Sequence, residues 1–220
     1  MEFASIKNSI SEELYGILGK DISKLRPAQE KSVKKGLLEG KSLLVCTPTA
    51  SGKTLIAELA AMKSIVEGKG KAVYVVPLKA LAAEKYKDFK KRYGSIAKIA
   101  LSIGEVDSAD PYLAEYDLIV TTSEKMDSLI RHNSPWISGI KTIIVDEIHL
   151  LNDAERGPTL EILLTILKQL LKNAQIIGLS ATIGNAEELA EWLNADLVVD
   201  EWRPVKLHKG IYLDGKIEFD

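Results

Sequence analysis

Two segments carry the residue types that phosphate chemistry requires: Thr47-Pro48-Thr49-Ala50-Ser51-Gly52-Lys53-Thr54 and Asp146-Glu147-Ile148-His149. The first follows the short apolar run Ser42-Leu43-Leu44-Val45-Cys46 and precedes Leu55-Ile56-Ala57-Glu58-Leu59-Ala60-Ala61-Met62, a run rich in helix formers. Strand, loop and helix in that order form the setting in which a Gly-Lys-Thr segment cradles phosphates. The helix N-terminus offers unpaired amides and partial positive charge to an anion. Gly52 lets the backbone approach a β-phosphate with no Cβ in the way. Lys53 would reach the β- and γ-phosphates, and Thr54 would place its hydroxyl on Mg²⁺. Thr47 stands where the strict G-x-x-x-x-G-K-[ST] pattern has its first glycine.

The second segment ends the apolar run Thr142-Ile143-Ile144-Val145 with adjacent acids and no basic neighbour in sequence. Carboxylates at a buried strand end are costly unless cations come to them. Asp146 would hold a Mg²⁺-bound water, and Glu147 would polarise the water that attacks a γ-phosphate. His149, just past the strand end, would sense the phosphate or touch another motif. An acidic surface turn is the competing reading of Asp-Glu alone. The phosphate loop about ninety residues upstream, within alternating strands and helices, favours the catalytic one.

These loops need a scaffold. The chain has 220 residues, 46% hydrophobic and 27% charged, enough for one sizeable core. A formal net charge of -2 excludes a general polyanion binder, so any nucleic-acid contact must come from local patches and backbone amides. The single cysteine, Cys46, excludes a disulfide framework and reads as a small apolar residue at a strand end. His132, His149 and His208 are too scattered for a metal cluster. No apolar stretch reaches the roughly 18–20 residues of a membrane span, and the N-terminus lacks a signal-peptide core. An intracellular, cytoplasmic, soluble protein is expected.

Helical segments are expected over about 9–39, in two pieces. One is capped by Ser11 with an acidic first turn, and one opens at Pro27 and runs to about Leu38, with Gly40 as a stop. Strands are expected at 72–76, 98–102, 117–122, 143–146, 175–180 and 197–199. Between them, helices are expected at 78–93 (strongly basic), 124–131 (capped by Ser123), 159–171 and 186–193, and a turn at Ile103-Gly104-Glu105. Near-continuous apolar strands alternating with helices predict an α/β fold, a mostly parallel sheet with helices on both faces. Ligands bind such sheets beyond the carboxyl ends of the strands, where Thr47, Pro77, Thr121, Asp146 and Ser180 all fall. Residues from Arg203 read as a linker or an extended exit segment.

The constellation resembles the first RecA-like domain of a superfamily 2 helicase of the DExH-box type, and is most similar to the archaeal Ski-type DNA repair helicases of the Hjm group. Leu25-Arg26-Pro27-Ala28-Gln29 resembles the adenine-reading Q motif, with Gln29 as reader. Pro48 to Thr54 resembles motif I, which assigns Thr49, Ala50, Ser51, Gly52, Lys53 and Thr54 to the nucleotide. Pro77-Leu78-Lys79-Ala80-Leu81 resembles motif Ia, and Thr121-Thr122-Ser123-Glu124-Lys125 motif Ic. Asp146 to His149 resembles motif II, and Ser180-Ala181-Thr182 motif III. The resemblance is densest over residues 20–200 and extends through Ile183 to Leu193.

The resemblance implies a RecA-like P-loop NTPase domain over 1–202, with the helical Q-motif segment at 9–39, and a linker at 203–220 toward a second RecA-like domain. It implies ATP and Mg²⁺ as cofactors, with Thr54 and Asp146 (through water) at the metal. Lys53, Asp146, Glu147 and His149 would be catalytic. Pro77, Leu78, Lys79, Thr121 and Thr122 would meet the backbone of single-stranded or forked DNA. Ser180 and Thr182, with His149, would couple nucleotide state to that face. By resemblance the whole protein moves 3′ to 5′ on DNA in repair or replication-fork processing. No run after Thr182 resembles the arginine-bearing motif VI, and an arginine finger contributes about 10³–10⁵ in rate. This chain alone is therefore expected to bind nucleotide, hydrolyse it negligibly and not unwind duplex. An RNA helicase of the same group, a P-loop small-molecule kinase and a non-catalytic nucleotide-gated interaction module are the competing readings.

Overall fold

The computed structural model describes residues 1–104, 109–206, 210–213 and 215–219. Seven strands form one sheet: β1 (Leu43–Cys46), β2 (Lys71–Val76), β3 (Ile99–Ser102), β4 (Leu118–Thr122), β5 (Ile140–Val145), β6 (Gln175–Ser180) and β7 (Asp196–Val199). Their order is β3-β4-β2-β5-β6-β1-β7, and every pair is parallel. Parallel pairing requires crossovers, and five helices supply them: α3 (Lys53–Val66), α4 (Lys79–Tyr93), α5 (Ser123–Arg131), α6 (Gly157–Leu170) and α7 (Ala186–Leu193), whereas α1 (Glu12–Leu18) and α2 (Pro27–Lys34) precede β1 and a 3₁₀ turn at Pro111–Glu115 links β3 to β4.

Strand side chains alternate between two apolar layers. Leu43, Val45, Tyr74 and Val76 enter the layer that α1 to α4 cover, with Leu14, Ala28, Ile56, Leu59 and Phe89. Leu44, Cys46, Val73 and Val75 enter the layer under α5 to α7, with Met126, Leu129, Leu163, Leu164 and Leu193. Burial on both sides is why these strands read as unbroken apolar runs. It places the polar residues of the motifs at the strand ends, where the sheet stops being covered.

The structure departs from expectation at element ends. Helix α2 stops at Lys34, not near Leu38, because Gly36 turns left-handed (φ +95°). The amide of Leu37 donates to Ser32 O (3.1 Å) and that of Gly36 to Val33 O (3.1 Å), the paired bonds of a Schellman stop. Helix α5 is capped by the Thr122 hydroxyl, which accepts from the Lys125 amide, so Ser123 is its first residue and not its cap. Strand β5 begins three residues earlier than expected. Phe3–Ser9 forms a 3₁₀ turn with Phe3 and Ile6 buried. Within the expected linker, β8 (Gly210–Leu213) and β9 (Lys216–Phe219) pair antiparallel as a hairpin. Asp214-Gly215 is its sequence signal. The turn expected at Glu105 and the histidine at position 208 lie outside the described residues. Among the described residues no helix is long and apolar enough to cross a membrane.

Candidate functional site

Strands β5 and β6 lie between β2 and β1, so the ends of β5, β6 and β1 form one row. That row brings the phosphate loop, the carboxylate loop and Ser180 together. Lys53, the first residue of α3, donates from Nζ to Ser180 O (2.9 Å) and to Thr47 O (3.4 Å). The Thr47 amide donates to the same Ser180 carbonyl (3.1 Å). Lys53 makes no ion pair among the described residues, so its charge faces carbonyls only, and an incoming phosphate oxygen is the stronger partner.

The loop itself is bent by two left-handed residues, Ala50 (φ 64°) and Gly52 (φ 92°). Thr47, where the strict motif has glycine, is buried, and its hydroxyl meets that of Ser51 at 2.7 Å. Thr49 and Ala50 are exposed at the tip. Gln29 grips the loop from α2. Its Nε2 donates to Gly52 O (2.9 Å), and its Oε1 accepts from the Arg26 amide (2.8 Å). A Cβ at position 52 would stand 2.6 Å from Gln29 Nε2. Glycine is thus required by backbone conformation and by this neighbour.

At the end of β5, Asp146 Oδ2 accepts from the Tyr74 hydroxyl (2.8 Å), and Oδ1 accepts from the Glu147 amide (3.0 Å). Burial, and then the Asp146 charge, hold the Tyr74 phenol well above its ordinary pKa, so it remains a donor. Glu147 is left-handed (φ 52°). His149 Nδ1 stands 3.4 Å from Glu147 Oε2 and 3.4 Å from the Ala181 amide, so it touches motif III as well as motif II. Ser180 is fully buried, paired in register with Cys46, and its hydroxyl has no hydrogen-bond partner among the described residues, whereas Thr182 is exposed.

Lys85 joins the two halves. Its Nζ donates to Thr54 Oγ1 (3.1 Å) and lies 4.0 Å from Asp146 Oδ2. The expected metal-binding hydroxyl and carboxylate thus flank one cation, and the phosphate and carboxylate loops lie on the same edge of the sheet.

The remaining sites divide. Leu78 and Lys79 are exposed and Pro77 half-buried at the start of α4. Thr121 and Thr122 are buried, with the Thr121 hydroxyl given to Ser102 O (2.7 Å) and that of Thr122 to the α5 cap. Their side chains are therefore spent inside the protein.

Lys85, Tyr74, Arg26 and Trp202 are the residues that sequence reasoning missed. Lys85 was legible as a lysine on the buried stripe of α4, three residues after Ala82 and four before Phe89, both buried. Arg26 donates to Ala50 O (2.8 Å) and lies over the Trp202 ring (5.4 Å). Lys31 bonds Val199 O and pairs with Asp200 (2.8 Å), which fixes the segment after β7 against α2. Long-range partners of this kind carry no local sequence signal.

The sequence profile of the DEAD/DEAH box helicases matches residues 26–189. The chain belongs to that family. The small-molecule kinase reading falls with that membership.

This helicase-family chain is 53% identical over 208 residues to an ATP-dependent DNA helicase Hel308 of Pyrococcus abyssi, covering 94% of the chain and 29% of the relative. It is 56% identical over 205 residues to the Hel308 of Methanocaldococcus jannaschii, covering 90% of the chain and 17% of the relative. Among solved structures it is similar to the DUF1998 helicase MrfA bound to DNA. That match has a TM-score of 0.76 at 26% identity, over 88% of this chain and 30% of that one. A complex of MrfA with DNA and AMPPNP matches at a TM-score of 0.75 and 27% identity, over 87% of this chain and 29% of that one. The fold is therefore the RecA-like one of these helicases, and the chain spans less than a third of the relatives it matches.

Proposed function

We propose that this chain is the ATP-binding first RecA-like domain of an ATP-dependent DNA helicase that couples hydrolysis to 3′-to-5′ movement along a single strand. Residues 1–202 form the domain, and 203–220 lead toward a second one. The observation that carries the reading is the meeting of Thr54 and Asp146, from opposite halves of the sequence, at one cation, the Lys85 ammonium. The donor set fits a magnesium–triphosphate: a hydroxyl, a carboxylate, and the Lys53 ammonium with its carbonyl partners.

Thr54 and Asp146 would hold the magnesium ion, Asp146 through water, and the ion would neutralise charge on the phosphoryl group. Lys53 binds the β- and γ-phosphates, and Thr49, Ala50, Ser51 and Gly52 wrap them. Glu147 polarises the attacking water. Gln29 reads adenine while holding Gly52, so base and phosphate loop are sensed by one side chain. His149, Ser180 and Thr182 relay nucleotide state to the strand face. On that face Pro77, Leu78 and Lys79 meet the strand from solvent. Thr121 and Thr122 contribute backbone, since their hydroxyls are taken.

DNA as the strand follows the names of the Hel308 relatives and the DNA complex of MrfA. Stimulation of the full-length ATPase by single-stranded DNA beyond that by RNA is the expected result, and the reverse would favour an RNA helicase.

Nucleotide titration of Lys53→Ala beside the unaltered chain tests the site. We expect Mg-ATP affinity to fall at least about tenfold with the fold retained, on the scale of a lost charge-assisted contact. Equal affinity would remove the phosphate-loop assignment.

A further inference from the structure

Lys85 lies outside the loops that bind nucleotide, yet its head group sits between them. It reaches in from the second turn of α4, 17% exposed, to donate to Thr54 Oγ1 at the start of α3 and to stand 4.0 Å from Asp146 Oδ2, itself 14% exposed. The other donors on Asp146 are neutral: the Tyr74 hydroxyl on Oδ2 and the Glu147 amide on Oδ1. Among the described residues Lys85 is the one cation within ion-pair distance of that carboxylate.

We propose that the Lys85 ammonium is a built-in stand-in for the divalent cation, one that holds Thr54 and Asp146 together in the nucleotide-free chain and keeps free metal out. This rests on the assignment of Thr54 and Asp146 as the metal's holders.

The argument is electrostatic. A metal ion drawn to Thr54 and Asp146 meets a positive charge already beside both, in a site largely shielded from water, where like charges repel strongly. The free divalent cation therefore gains little by entering. A triphosphate changes the balance, because its several negative charges outweigh the lysine. Lys85 would then give up Thr54 and Asp146 only when metal and nucleotide arrive together. The groups that Lys85 meets are thus Thr54 from α3 and Asp146, itself bonded by Tyr74, at the end of β5.

The test is Mn²⁺ binding to nucleotide-free protein, read from the loss of the free-ion electron paramagnetic signal. Lys85→Met keeps most of the aliphatic stem and deletes the charge. It is expected to bind Mn²⁺ at least about tenfold more tightly than the unaltered chain, about 1.4 kcal/mol. Lys85→Arg should match the unaltered chain, and adding Asp146→Asn to Lys85→Met should abolish the gain. A Lys85→Met affinity within twofold of the unaltered chain would overturn the proposal.

Wild-type protein carrying ¹³C-lysine supplies a reading that depends on no variant. Mn²⁺ should broaden the Lys85 Cε resonance only when a non-hydrolysable ATP analogue is present. Equal broadening without the analogue would mean that metal settles beside the lysine unaided, against the proposal. If Asp146→Asn leaves Mg-nucleotide affinity unchanged, the metal assignment itself fails and the proposal with it. If that affinity falls and Lys85→Met gains nothing, only the role of Lys85 is lost.

Discussion

Replacing Gly52 by alanine separates two reasons for the glycine. The backbone there is left-handed (φ 92°), and an L-residue in that region costs about 1–2 kcal/mol. The added methyl would also meet Gln29 Nε2 at 2.6 Å, and Arg26 Cδ and a guanidinium nitrogen at 3.2 Å. Arg26 is a long side chain and moves away cheaply. Gln29 cannot, because it is buried and its two amide ends are bonded to the Arg26 amide and Gly52 O. Displacing it sacrifices one or both bonds, about 1 kcal/mol each. Gly52→Ala is therefore expected to lose about 2–4 kcal/mol, a melting-point drop of roughly 4–16 °C for a domain of this size.

The decisive measurement is a double-mutant cycle in urea. Gln29→Ala alone is expected to cost about 1–3 kcal/mol, since it leaves Arg26 N and Gly52 O without their partner. In the double variant the obstruction is already gone, so only backbone strain remains to be added. The double variant's loss should fall short of the sum of the two single losses by at least about 1 kcal/mol. Additivity within about 0.5 kcal/mol would refute the reasoning, because it would mean that Gln29 and residue 52 do not share space.

Tyr74→Phe deletes one donor from the Asp146 carboxylate. Urea unfolding should show a loss of about 1.5–3 kcal/mol, and a loss under 0.5 kcal/mol would mean that water replaces the hydroxyl. Burial pushes the Glu58 carboxyl above its ordinary pKa against the opposing bonds from Tyr93 and Arg92. The stability it contributes is present below about pH 4.5 and falls as pH rises through its folded-state pKa. Glu58→Gln should accordingly look less harmful at pH 8 than at pH 4.5 in denaturation curves, and a pH-independent difference would count against burial as the cause. Glu30 is the opposite case, lowered to about 2 by Lys34 and by the Met1 amino group. Its contribution is present above about pH 4.5 and lost toward pH 2. A carboxyl titration followed by NMR should place its midpoint near 2, and Glu30→Gln should flatten the acid limb of the stability profile.

The sheet was legible because two-sided burial leaves runs such as Ile143-Ile144-Val145 and Ile176-Ile177, which need no knowledge of the partner strand. Cap positions were less so. Thr122 and Ser123 are both good caps, and the choice between them is made where β4 stops pairing with β2, at Val76 and Thr122. The β8–β9 hairpin is less legible, because Asp214-Gly215 follows the unbroken apolar run Ile211-Tyr212-Leu213 and only Lys216 to Phe219 alternates. The phosphate and carboxylate loops announced themselves by composition. Lys85 did not, because α4 carries so many lysines that the inward-facing one is hidden unless helix phase is followed from Ala82 to Phe89.

Strand order explains why the third motif lies between the other two. β6 is the neighbour of both β5 and β1. In register, Val145 faces Gly178 across one side of β6 and Ser180 faces Cys46 across the other. The carboxylate loop thus leaves the sheet two residues earlier along β6 than the phosphate loop does, and the end of β6 is exposed to both. Ser180 O is taken by Thr47 N and Lys53 Nζ, and the Ala181 amide meets His149. A ligand that draws Lys53 away leaves Ser180 O with the Thr47 amide alone, and a ligand that recruits Glu147 removes a neighbour from His149. Both changes arrive at adjacent residues of one strand end. A conformational signal therefore needs no long path here, because the sheet has already placed its two inputs one residue apart.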